Sequence, residues 1–189
     1  MTLEEFYKEL SFVDASKKSR LKYADMVLKD MNLFPKLLEI MFMVDDKVSY
    51  RAAWVFEFVI NDNIYALVPH LDFFTKNIHK IHLNSAVRPV AKVCQFIATT
   101  FSSKQQNTIK KTLLPVYEKR IVESCFDWLI SNQKTATKAY TMETLFLFGK
   151  NSKWIYEELS EILQQNFQSE SAGYKSRAKH ILKKIKKIQ

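Results

Sequence analysis

Glycine is nearly missing from this chain: there are two among 189 residues, alongside four prolines and two cysteines. A fold of tight reverse turns or β-bulges needs many backbone positions at positive φ, and a glycine-rich phosphate loop needs several together, so this shortage excludes both. No uninterrupted apolar run approaches the roughly 18 residues of a membrane-crossing helix. Cys94 and Cys125 stand in apolar stretches and read as reduced, buried thiols, too few for a disulfide framework. There is no Gly-x-Ser-x-Gly elbow, no His-Glu-x-x-His pair and no paired-cysteine zinc signature. Thr2–Leu10 is acidic and amphipathic, without the basic start and apolar centre of a secretory signal. Together these absences predict a cytoplasmic protein with no membrane segment, no metal and no cofactor, and they weigh against an enzyme.

Acid is missing from one end. Residues 174–189 hold seven of the lysines and arginines and no Asp or Glu, so of the net +9 only +2 belongs to the preceding 173 residues. A near-neutral body with a basic end is expected. The tail could grip nucleic acid, but Tyr174, Ala178, Ile181, Leu182, Ile185 and Ile188 recur at helical spacing through it. That stripe favours a packed last helix whose lysines keep the end of the fold in water.

What the chain has in quantity is apolar and aromatic side chain, at 47% and 13%, enough for one domain over 1–189 that buries roughly 70% of its unfolded surface. Apolar residues recur at three- and four-residue steps almost throughout. Helices are expected at about 3–12, 15–31, 35–42, 48–60, 64–78, 85–101, 115–130, 134–148, 152–167 and 171–188. Pro35 and Pro115 suit first turns, Asp45-Asp46 and Ser85 suit caps, and Gly149 suits a left-handed stop. Pro69 should break the fifth helix, and Ser102–Lys111 reads as one long polar loop. The stretch Val48–Ile60 is apolar nearly all round, with only Arg51 and Glu57 charged, so it belongs at the centre.

The opening of that central helix, Arg51-Ala-Ala, returns as Arg88-Pro-Val-Ala91, Lys138-Ala139 and Arg177-Ala178, at spacings of 37, 50 and 39 residues. A two-helix unit with a period of about 40 is what stacked helical solenoids show. The Val-x-x-Arg-Ala-Ala opening resembles a HEAT or armadillo-type repeat over essentially the whole chain. The resemblance implies an all-α, right-handed α–α superhelix of about five antiparallel helix pairs. The full sequence is also similar to a group of small bacterial proteins, some of which carry the name adenylosuccinate lyase. Lyases of that superfamily are longer and have a serine-rich loop containing Met-Pro, a pair that occurs nowhere here.

Two uses compete for Arg51, Arg88, Lys138 and Arg177. A row of cations at one position of successive repeats makes a stripe for phosphates or acidic partners. Alternatively each belongs to an internal ladder, paired with an acid or carbonyl of the neighbouring repeat; Asp45, six residues before Arg51, suits this, but His82, Asn132 and Ser171 at the equivalent places do not. Glu57 must be paired or functional, because an unpaired buried charge is costly. Trp54, Trp128 and Trp154 could stack on bases, though their helical spacing among apolar neighbours favours core packing. Arg88, Lys92, Gln95 and Thr99 form a polar stripe that is either a solvated face or a ligand surface. The expected role is therefore a binding or scaffold protein with a protein partner on its concave face. That surface comprises Arg51, Trp54, Glu57, Arg88, Lys92, Gln95, Lys138 and Arg177. The alternatives are a nucleic-acid-binding protein, akin to a bacterial DNA glycosylase built from HEAT-like pairs, and a lyase.

Overall fold

Helix starts follow closely from the local sequence. The computed structural model describes residues 1–188. Its first helix, α1 (Leu3–Leu10), opens on a reciprocal cap: the Glu5 amide donates to Thr2 Oγ1 at 3.2 Å, and the Thr2 amide to Glu5 Oε2 at 2.7 Å. Ser16 caps α2 (Lys17–Lys29) through the Ser19 amide. α3 (Leu33–Met41) carries Pro35 in its first turn, where no helical donor is lost. Asp46 caps α4 (Lys47–Asp62): Oδ1 accepts from the Val48 amide at 2.6 Å, and Oδ2 accepts the Tyr7 hydroxyl at 2.7 Å, tying α1 to the start of α4.

Between residues 64 and 80 the expected single helix breaks where Pro69 removes a backbone donor. A 3-10 segment, Ile64–His70, hands over to α5 (Leu71–Asn77), and a short 3-10 turn, Ile78–Lys80, follows. α6 (Asn84–Phe101) starts one residue before the predicted Ser85 cap, after Leu83, and no side chain caps it. The polar stretch 102–111 is not wholly a loop. It contains α7 (Thr108–Thr112), capped by Asn107 and pinned by fully buried Ile109. Asn107 also donates to the Thr100 carbonyl at 2.8 Å, folding the stretch back on α6.

α8 (Pro115–Ile130) begins on its proline, as expected. α9 (Thr135–Phe148) ends at Gly149, and here the prediction of a left-handed stop fails: its φ is −57°, and no described residue has positive φ. Space, rather than backbone freedom, accounts for the glycine. A Cβ there would lie 2.3 Å from Tyr156 Cε1 on α10 (Lys153–Gln165). α11 (Ala172–Ile185), capped by Ser171, is the last. The described residues thus hold eleven α-helices and no strand, an all-α fold.

α2 packs on α4, α4 on α6, α6 on α9, and α9 on α11. On the other side α1 meets α3, Phe42 beyond α3 meets Phe73 of α5 at 5.5 Å, α5 meets α8, and Phe126 of α8 meets Trp154 of α10 at 5.9 Å. One contiguous apolar core runs between the two sets, from Phe6 to Ile185. α4 has the central place its sequence demands: Ala52, Ala53, Val55, Phe56 and Val59 are fully buried, and it touches α1, α2, α3 and α6. Each such valine or phenylalanine contributes roughly 1.5–3 kcal/mol by leaving water. Cys94 and Cys125 are free and buried, and burial pushes the Cys125 thiol well up, with Cys94 adding to the effect. No described helix is long and apolar enough to cross a membrane.

Candidate functional site

Pro89 sits inside α6 and has no amide hydrogen, so the carbonyl of Ser85, four residues earlier, lacks its helical donor. The Trp54 indole Nε1 supplies the replacement, donating to that carbonyl at 2.9 Å. This bond stitches α4 to the first turn of α6 and fixes the indole in the lining of an open groove of about 500 Å³. Trp54, Glu57 and Phe58 of α4 form the floor. Arg20 of α2 lies on one side; Ser85 and Arg88 of α6, with Lys134 before α9, lie on the other.

Arg20 is held down in two ways. Its Nε donates to the Ser16 carbonyl at 3.3 Å and Nη2 to that of Ala15 at 2.8 Å, while the guanidinium lies 6.0 Å from the Trp54 ring and 5.3 Å from that of Phe58. Arg88 Nη2 donates to Glu57 Oε2 at 2.7 Å. The Glu57 carboxylate is only 14% exposed. Burial raises its pKa above the ordinary value for a glutamate, opposed by the charges of Arg88, Arg20 and Lys92. Desolvation therefore outweighs three neighbouring cations. Lys92 continues the stripe one turn on, donating to Gln95 Oε1 at 3.2 Å and lying 5.0 Å from the Phe96 ring and 4.5 Å from Tyr140 on α9.

The structure thus gathers five of the eight predicted residues, Trp54, Glu57, Arg88, Lys92 and Gln95, on one face. The other three lie apart from the groove lining. Arg51 rests 6.0 Å over Tyr50, and Asp45 faces His82 Nε2 at 3.3 Å. Lys138, 9% exposed, pairs with the Glu170 carboxylate. Glu143 on α9 takes Lys184 at 3.0 Å and Arg177 at 3.6 Å. These contacts make a polar seam between α9 and α11. Tyr174, buried within it, has its hydroxyl pKa pushed up to about 12 by desolvation and then by Glu170. Of the tryptophans, Trp128 is a core residue, while Trp154 is 54% exposed on α10.

Arg20, Phe58, Lys134 and Tyr140 were missed from sequence. Arg20 had a signal, being an early basic residue of α2, the helix that packs on α4. However, Leu21 rather than alanine follows it, and it lies 31 residues before Arg51, short of the other spacings. Lys134 reaches the groove only because α9 starts beside α6, which no local pattern reports.

No protein-family model, curated protein or solved structure matches the chain. The chemistry must come from the side chains themselves. Among the described residues no group of three His, Cys, Asp or Glu side chains could hold a metal. The groove has a single carboxylate, already engaged by Arg88. Its surplus is of hydrogen-bond donors and positive charge beside two aromatic rings, a combination suited to holding anions.

Proposed function

We propose that the chain is a right-handed α–α solenoid of HEAT/armadillo type, with about five antiparallel helix pairs, and that it works by binding. α2, α4, α6, α9 and α11 would line its concave side, and a macromolecular partner, a protein, would dock there. The observation that carries this reading is a contrast within that row. Lys138, Arg177 and Lys184 have their charges met by Glu170 and Glu143. Between α2 and the start of α9, Arg20 and Lys134 flank an open groove containing one carboxylate. A preformed groove binds without much ordering cost, so a few such contacts suffice for a useful affinity.

Affinity capture from native lysate, with and without nuclease, tests the proposal. Wild type is compared with Lys92→Glu/Lys134→Glu, a pair that leaves the Arg88–Glu57 bond intact. A protein retained by wild type and lost by an equally stable variant supports the reading. Capture unchanged by the reversal overturns it. Capture that vanishes with nuclease assigns the same face to nucleic acid.

A further inference from the structure

The groove has a chemical preference narrower than positive charge. Arg88 spends one N–H on Glu57, and Arg20 spends one Nε–H and one Nη2–H on backbone carbonyls. A guanidinium has five N–H donors and no acceptor. Both arginines therefore keep N–H groups with no protein acceptor, and Lys134 Nζ beside them is exposed. The Glu57–Arg88 pair demonstrates that a carboxylate fits against this wall at 2.7 Å. Trp54 and Phe58 supply apolar surface within the same opening.

The extent of the patch decides between kinds of polyanion. A nucleic-acid strand presents evenly spaced phosphates and is held by many cations along its track. Further along this row the cations have carboxylate partners: Lys138 pairs with Glu170, and Arg177 and Lys184 share Glu143. Around the groove Arg20, Lys134 and, one turn away, Lys92 have no carboxylate partner among the described residues, and Arg88 between them spends only one of its N–H groups on Glu57. A patch that small matches two or three carboxylates with an apolar side chain between them.

We propose that the α2–α4–α6 groove seats a short acidic segment of a partner protein, its carboxylates meeting Arg20, Arg88 and Lys134 and an apolar side chain lying on Trp54 and Phe58. This rests on the reading of that face as the binding face. Glu57 has a second part in the arrangement: it holds Arg88 in place and repels a partner carboxylate from all but the free edge of the guanidinium, which fixes the register of the segment.

The test uses the full chain and a fluorescein-labelled peptide of alternating glutamate and leucine, its glutamine counterpart, and a labelled single-stranded oligothymidine of similar length. Anisotropy is read at low and at physiological ionic strength. The expected result is micromolar binding of the glutamate peptide. The glutamine peptide, or the variant Arg20→Gln/Lys134→Glu, should reduce affinity by about tenfold or more. Lys183→Glu/Lys187→Glu in the exposed tail should leave it unchanged, and thermal melts confirm that each variant is folded. Equal binding of the two peptides overturns the inference, as does loss of binding in the tail variant alone. Tighter binding of the oligonucleotide that is lost in the groove variant removes the acidic segment but keeps the face. Indifference of all probes to the groove variant removes both.

Discussion

Glu57 carries an unusual burden for one side chain. Its carboxylate is nearly buried, is bonded to Arg88 and still has a raised pKa, so its charge costs more in desolvation than its neighbours return. A carboxyl with a raised folded pKa contributes stability that is complete below its ordinary value of 4.5 and is lost as pH climbs through the folded value. Glu57→Gln copies the neutral form. The difference in Tm between this variant and wild type should therefore shift in the variant's favour between about pH 4 and pH 7, as followed by circular dichroism melts. Arg88→Ala acts the other way. It strips the carboxylate of its partner and should cost about 2 kcal/mol at neutral pH in urea unfolding, below the figure for a fully buried pair because both groups still touch water. Gly149 supplies a steric counterpart. Its Cβ-less position faces Tyr156, whose ring is buried and stacked 5.7 Å from that of Phe146. Gly149→Ala should lower stability by roughly 1–3 kcal/mol, an overpacking cost, with part of it recovered by adding Tyr156→Leu.

At the scale of elements, the join between α4 and α6 depends on a proline and a tryptophan acting together. Trp54→Phe keeps the ring but leaves the Ser85 carbonyl to water, with an expected cost of about 0.5–1.5 kcal/mol. Pro89→Ala supplies the missing amide, so in that background the same tryptophan substitution should cost less; a double-mutant cycle in urea measures the coupling. Helix positions were legible in the chain wherever a cap and an apolar period agreed, as with Asp46 before Val48, Pro115, and Ser171 before Tyr174. They were illegible where tertiary contact substitutes for propensity. α7 exists because Ile109 is buried and Asn107 reaches Thr100, and neither fact shows in a run of polar residues. Gly149 marks the end of α9 as expected, but for want of room beside Tyr156 instead of for turn geometry. Part of the groove was legible along single helices, through Trp54, Glu57 and Arg88. Arg20 and Lys134 come from other elements and depend on packing.

For the whole molecule, the succession α2, α4, α6, α9, α11 puts α4 and α6 inside and α11 at one end, while α1 lies at the margin against α3 and α4. Local opening should be cheapest at the ends and dearest in the middle. Cys94 on α6 and Cys125 on α8 report on the middle, since both thiols are buried. In native buffer their reaction with an aromatic disulfide reagent should proceed no faster than global unfolding, while amides of α1 and α11 exchange with deuterium well before those of α4 and α6. Thiol labelling that outruns unfolding would show a breathing centre.

The uniformly negative φ of the described backbone has a wider effect. No described corner between helices needs a left-handed residue, so substitution there meets no penalty of chirality, the demand at Gly149 being one of space. Corners of this kind are open to drift: two chains could share this architecture while agreeing at scarcely any connecting residue, their kinship surviving only in the spacing of what they bury.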